Sequence, residues 1–421
     1  MIMNKGKVGR VPESGSFQLP KLFFIITMIL LMSGCAIDPA LRTQITWKIK
    51  GAEENLKKAG KLDVEKKYVN SSERAEKELD NARTFLKEEK GDEALRSADS
   101  GLNMSREILK PFAADKIEDA QKNRDAAKNL DAEKRHVEDS EKAKEYLAHA
   151  RSLLEKAEPK EAFESAERSL SISKDILKQV YLEGIAAKAR ELKDEIKRKV
   201  GADKESPLLN YLPELDAILD YAEDLETGRQ VASVDKVLSN LDKFLDVKYS
   251  ASLFESGKLK SDISFKLGED ELSAKGKIAL EEKFLIKIIS NKDKCKEKYP
   301  DSAITIKITV YGYTDQVGFN EGKPLFRKLS EGVEHALPKK QPERRKFLNQ
   351  RLSELRAQAI GDYIRQRILE TERGGSRVRV EPKIEGMGEL IPEDIVPSGL
   401  NNDPKRRICK IYSEYMAYRE Q

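Results

Sequence analysis

Two short stretches near the C-terminus carry residue types suited to ion-pair chemistry: Thr309-Val-Tyr-Gly-Tyr-Thr-Asp-Gln-Val-Gly318 and Asn349-Gln-Arg-Leu-Ser-Glu-Leu-Arg-Ala357. In the first, Ile304, Ile306, Ile308 and Val310 alternate with polar residues. That period predicts a strand running into a Gly-flanked turn that presents Thr314 and Asp315. The second opens an amphipathic helix in which Leu352, Leu355, Ala359 and Ile360 face inward, with Arg351 and Arg356 on or beside the polar face. A carboxylate at a strand end and a guanidinium on the next helix suit a ligand carrying both an amine and a carboxylate. The acid would meet the ammonium, and the Arg fork would hold the carboxylate bidentately.

The elements that must position these residues follow from the surrounding pattern. Ile263 and Phe265 open a first strand, and 272–289 reads as a helix. The second strand covers 304–311, the second helix 349–368, and further strands 378–384 and 407–412. Strand–helix–strand–helix–strand–strand with short links predicts an α/β sandwich, its helices packed on one face of a mixed four-stranded sheet.

With Gly386-Met-Gly-Glu-Leu-Ile-Pro392 and Arg406-Arg407-Ile408, the two opening stretches form an ordered set of four. The set resembles the OmpA-like peptidoglycan-binding domain, the family of the peptidoglycan-associated lipoproteins, over about residues 255–415. The resemblance implies binding to the diaminopimelate of the peptidoglycan stem peptide. It makes Asp315 and Arg356 the principal contacts and gives Thr314, Asn349, Leu352 and Arg407 supporting positions. The chain departs from the family pattern at 319–348, an insertion with eight Lys/Arg against four Glu and three prolines. It reads either as a surface loop, which costs little entropy, or as a basic flap that helps hold acidic wall polymer or a partner. The last strand is also irregular, since Ile408-Cys409-Lys410-Ile411 does not alternate cleanly.

At the other end, residues 22–32 are an uncharged apolar run preceded by Lys5, Lys7, Arg10 and Lys21 and followed by Ser33-Gly34-Cys35. Eleven residues are too few to span a bilayer but suit the core of a secretory signal. Small residues followed by Cys resemble a bacterial lipobox, which implies cleavage after residue 34 and lipidation of Cys35. Ala36 stands where Asp would resemble an inner-membrane retention signal, so the resemblance favours the outer membrane. Several acyl chains on one Cys give stable anchoring, whereas one would be marginal.

Composition narrows the function. The chain is 36% charged with a net charge of only +4 in 421 residues, too balanced for a nucleic-acid binder. Besides Cys35 there are only Cys295 and Cys409, which either pair or are small buried residues. Three histidines (His136, His149, His335) lie in charged contexts with no nucleophile or acid at recognisable spacing. No Gly-rich phosphate loop follows a strand and no metal-ligand spacing appears. We therefore expect no enzyme, no catalytic residue, no cofactor and no metal.

Between the two ends lies a duplication. Residues 62–110 align with 130–178 at an offset of 68 without gaps, with 21 identities in 49 positions. Each copy predicts two helices. The first carries Ala75, Leu79, Ala82 and Leu86, or Ala143, Leu147, Ala150 and Leu154; the second carries Leu95, Ala98, Leu102 and Leu109, or Phe163, Ala166, Leu170 and Leu177. Breaks fall at Gly91-Asp92, read as helix stop and N-cap, and at Pro159, read as a first helical turn. Pro111 is expected to kink or interrupt a helix that continues unbroken at the equivalent Gln179. Residues 201–250 read as a degenerate further hairpin, with Val234, Leu238, Leu241 and Leu245 lining its second helix. Trp47, the only tryptophan, belongs either at the membrane interface or in the first hairpin's core.

The expected organisation is a signal peptide over 1–34, an anchor and lead-in helix over 35–61, and repeats over 62–129 and 130–200. The degenerate hairpin over 201–250 and the OmpA-like domain over 255–415 complete it. The expected function is an outer-membrane lipoprotein, facing the periplasm, that tethers the membrane non-covalently to peptidoglycan, with the helical repeats as spacer or scaffold. The alternative is an adaptor of an envelope machine, exporter or motor, whose repeats bind a partner protein.

Overall fold

The computed structural model describes residues 37–63, 66–260, 264–265, 270–372 and 377–418. Cys35 and the signal-like segment therefore lie outside the described residues, as does Ile263. A helical region precedes an α/β domain, and the chain divides into two compact units, Met1–Ile176 and Leu177–Gln421.

In the first unit, α1 (Pro39–Leu62), α2 (Val69–Lys87), α3 (Gly91–Asn129) and α4 (Val137–Glu155) precede α5 (Pro159–Val180). Ala75, Leu79, Ala82, Ala98 and Leu102 are buried, and so are their counterparts Ala143, Leu147, Ala150, Ala166 and Leu170. Small residues bring the paired helices close. At Gly101 a Cβ would stand 2.6 Å from Leu79 Cδ2. The equivalent Ser169 instead donates its hydroxyl to the Ala143 carbonyl at 2.7 Å. The hairpin turns differ from the expectation. Gly91 is the first residue of α3, not a helix stop, and the left-handed positions are Glu89 (φ 61°) and the equivalent Ala157 (φ 58°). Pro111 does not interrupt α3, which runs on to Asn129. Its counterpart helix is the one disturbed, by a π-helical turn over Tyr181–Ala186. A π turn adds a residue to the i→i−4 ladder, and here it is fixed by Tyr181, whose buried hydroxyl donates to the Ile218 carbonyl at 2.8 Å. Trp47 is 65% exposed, so it is not a core residue.

The second unit continues with α6 (Ala187–Val200), α7 (Leu212–Glu226) and α8 (Val234–Leu253). The buried stripe of α8 is Val234, Val237, Asn240, Phe244, Val247 and Ala251, whereas Leu238 and Leu245 are exposed. A polar residue defines that face: Asn240 Nδ2 donates to Tyr181 Oη at 2.8 Å, which a hydrophobicity pattern cannot register.

The sheet has the order β1-β4-β2-β3, with β1 Glu255–Lys260, β2 Ala303–Gly312, β3 Val378–Gly386 and β4 Ile408–Tyr418. β2 and β3 are parallel, and β4 is antiparallel to both of its neighbours. The first strand thus precedes the expected one, and Phe265 makes only an isolated bridge to Leu272. One face of the sheet is covered by α9 (Ala274–Leu280), a π turn, α10 (Ile286–Lys298) and α12 (Gln341–Glu370), with Phe284, Ile288, Ile306, Ile308, Ile360 and Ile411 in the core. Cys295 and Cys409 are both buried in that core and are not joined in a disulfide. The irregular sequence of β4 has a direct cause. Cys409 and Ile411 face the core while Lys410 and Tyr412 are buried on the other face, against Asp203, Glu205 and Phe254. A strand buried on both faces has no reason to alternate.

The insertion is not a bare loop. It contains α11 (Pro324–Ser330) and the first two turns of α12, and it has its own apolar cluster around Leu329, Leu348 and Leu352. No described helix is long and apolar enough to cross a membrane.

Candidate functional site

The end of β2 is where the expected residues meet. Gly312 permits the approach: a Cβ there would overlap the backbone carbonyl oxygen of Ser353 on α12. At Gly386, the end of β3, a Cβ would stand 2.8 Å from both Gln350 O and Glu354 N. Two strand ends therefore lie directly against one turn of α12, which only glycine allows. Ser353 then donates to Gln350 O at 2.7 Å and accepts from Gly388 N at 2.9 Å, and Gly388 takes the left-handed conformation (φ 58°). Thr314 N and Oγ1 both donate to Gly388 O, at 2.8 and 3.0 Å.

Asp315 follows. Its Oδ1 accepts from Val317 N at 3.2 Å, closing an Asx turn, and its Oδ2 lies 3.4 Å from Arg407 Nη1. The residue is 4% exposed. Asn349 ties the turn to the helix, donating to Val317 O at 3.4 Å and to Glu389 Oε1 at 2.9 Å. Arg356, one turn beyond Ser353, is 8% exposed, with its guanidinium carbon 5.2 Å from the centre of the Phe265 ring. A cation over a ring face is attracted to its quadrupole. Arg407 also donates to Asn402 Oδ1 at 3.1 Å. Leu352 is buried in the insertion's cluster.

One expectation is corrected. Arg356 lies on the buried face of α12 with Asn349, Leu352, Ser353, Ala357 and Ile360, while Leu355 packs on the insertion and Ala359 is only partly buried. The helix packs here through hydrogen bonds to loops as well as through apolar side chains, so its inward face is wider than the leucines mark.

Several residues at this end escaped sequence reasoning. Glu389 accepts bidentately from Arg345, at 2.8 and 3.0 Å, and its carbonyl accepts from the buried Arg406. Asp403 accepts from Ser398 N and Lys405 N, at 2.7 and 3.0 Å, and these backbone donors, the Ser398 amide foremost, hold its carboxyl below the usual range. Lys410 is entirely buried; its Nζ donates to Asp203 Oδ1 at 2.8 Å and Glu205 Oε2 at 2.7 Å. Asp394 Oδ1 is 3.0 Å from the same nitrogen without hydrogen-bond alignment, and Lys258 pairs with its other oxygen. Tyr412 donates to Asp203 Oδ2 at 2.6 Å and Tyr313 to Glu205. Burial above all, then those acceptors, push both phenols above their ordinary range. The cluster borders the site along the chain, since Tyr313 adjoins Thr314 and Lys410 is three residues from Arg407. Sequence offered one signal for it, a lysine amid apolar β4. Among the described residues, no group of three or more His, Cys, Asp or Glu is placed to hold a metal.

The fold and site define a helical protein ending in an α/β sandwich with a shielded acid and two guanidinium groups near one strand end. No protein-family model matches the chain, and no curated protein matches it in sequence. Among solved structures it is similar to a crystal structure of a MotB-like protein from Desulfovibrio vulgaris, at 18% identity over 40% of this chain and 75% of that one, with a TM-score of 0.20. With so low a TM-score, the fold stands on the topology above alone.

Proposed function

We propose that this protein binds peptidoglycan non-covalently through an OmpA-like domain, with Asp315 and Arg356 receiving the ammonium and carboxylate of diaminopimelate. The observation that carries the reading is the convergence of all four motif pieces at one end of the sheet, with both charged residues more than nine-tenths buried. Exposed ion pairs contribute only about 0.2–1 kcal/mol, so shielding of this kind is what a charge-reading site needs. Thr314, Asn349, Leu352 and Arg407 set the turn, the helix and the carboxylate. In this reading Cys35 carries the lipid, the outer membrane holds the protein facing the periplasm, and the helical repeats act as spacer. The protein is a tether and not an enzyme. Anchoring and a polymeric ligand raise the effective concentration, so modest affinity suffices.

Co-sedimentation of lipid-free 36–421 with purified sacculi tests this, beside Asp315→Ala and Arg356→Ala. Binding lost in both variants, with folding intact by circular dichroism, is the expected result; binding that survives both refutes the assigned site.

A second reading has one observation in its favour. The first unit carries a hollow of about 440 Å³ lined by Tyr68, Ser71, Arg74, Asn103, Met104 and Ile108, with Met104 exposed. An adaptor would use such a surface for a partner protein. Replacing 62–247 with an unrelated helical spacer of equal reach separates the two, since a tether tolerates the exchange and an adaptor does not.

A further inference from the structure

Residues 319–348 hold the whole net charge of the chain. Eight Lys/Arg against four Glu give the insertion +4, which is the formal charge of all 421 residues, so the remainder of the chain balances to zero. The segment is fixed in place. Leu329 is fully buried against Leu348 and Leu352, with Leu325 and Phe326 packed around them. Lys328 reaches Asp270 at 2.7 Å, Arg344 reaches Glu321 at 2.9 Å, and Arg345 grips Glu389. The Leu329–Leu352 contact joins the insertion to the helix turn before Arg356, and the Lys328 and Arg345 pairs tie it to Asp270 and Glu389. Four cations are left over: Lys323, Arg327, Lys339 and Lys346 are exposed and have no ion-pair partner among the described residues.

We infer that the insertion is a second contact for the ligand of the adjoining site, a cationic platform for a carboxylate-bearing polymer. The inference rests on the wall-binding reading and names what lies beyond the single diaminopimelate. Of the platform cations, Lys346 shares α12 with Arg356, ten residues or about 15 Å along the axis, so an extended polymer seated at the Asp315–Arg356 end can reach the platform as well. A glycan bearing repeated stem peptides has that continuity, and its free peptide carboxylates supply the opposite charge. An apolar scaffold that leaves four of its cations in water suits loose, sequence-tolerant contact with such a polymer. Each contact is weak alone, but joined to the specific site they multiply its avidity.

The test is sacculus co-sedimentation of lipid-free 36–421 over a range of salt, comparing wild type, Lys323→Glu/Arg327→Glu/Lys339→Glu/Lys346→Glu, the same four residues changed to Gln, and Asp315→Ala. The Glu variant should bind roughly tenfold more weakly at low salt, as four exposed pairs imply. The Gln variant should fall between, which a folding defect would not produce. Both differences should fade by about 0.5 M salt, where the screening length is roughly 4 Å. If the Glu variant binds like wild type at low salt while Asp315→Ala abolishes binding, the platform is overturned and the wall reading stands. If wild type does not bind at any salt, the wall reading falls and the platform with it. If the four residues are needed for binding phosphatidylglycerol vesicles but not sacculi, the surface serves a membrane and the inference is overturned.

Discussion

Replacing Lys410 by Met is the sharpest test of how the α/β domain is held to the segment before it. Asp203 and Glu205 lie in the connection after α6, outside the sheet, and both reach the same buried nitrogen. Methionine keeps the length and loses the charge. With Nζ gone, the Asp203 and Glu205 oxygens, at most 5.5 Å apart (2.8 plus 2.7 Å), face each other without a cation. At an effective dielectric constant of about 20 that repulsion is about 3 kcal/mol, and removing one partner of a buried pair typically costs about 3–5 kcal/mol. The carboxylates keep their tyrosine donors and side-chain exposures of 14–17%, which places the expectation toward the lower figure.

The two carboxylates would then face each other without a counter-charge, so the penalty should be about 3 kcal/mol at pH 7. Eleven of the thirteen tyrosines fall within 177–421, so urea unfolding followed by near-ultraviolet circular dichroism reports mainly this unit. Adding Asp203→Asn and Glu205→Gln to the Met variant should recover much of the loss. A penalty under about 1 kcal/mol at pH 7, or one that the added Asn and Gln changes do not relieve, refutes the reasoning.

Two further outcomes follow. Gly312→Ala places a methyl group inside the Ser353 carbonyl, with no flexible side chain to yield; it should cost at least about 3 kcal/mol, and a melting temperature within a few degrees of wild type would show that strand and helix separate easily. Glu414 is buried on the face of β4 away from the core, and burial raises its carboxyl above the usual range despite Lys307 and Lys383. A raised folded value means that stability is present below the unfolded pKa and lost as pH rises, so Glu414→Gln should stabilise the protein at pH 7 and lose that advantage near pH 4; calorimetry at the two pH values decides it.

The parts of this fold that were legible in the sequence are those governed by one repeated constraint. A hairpin in the first unit buries one stripe per helix, so Ala75, Leu79 and Ala82 announce themselves by spacing, and β2 does the same with its isoleucines. The candidate site was legible through residue types in order, because Gly312, Asp315 and Gly386 answer local demands of turn and close approach. What could not be read depends on partners distant in the chain. Lys410 breaks the pattern of a buried strand until Asp203 and Glu205, more than 200 residues earlier, supply its counter-charges. Asn240 hides the true face of α8 because its partner is a tyrosine 59 residues away. The insertion's own helix and apolar cluster could not be read because Leu329 finds its neighbours on another helix. These misses share a cause: each is a residue whose type is wrong for its own element and right for a contact made elsewhere. A charged or amide side chain in an apolar stripe, with no local partner, is therefore itself a sign that a second element covers that face. Lys410 carries that sign for the sheet, and in the folded chain it is the α6–α7 connection that supplies the cover.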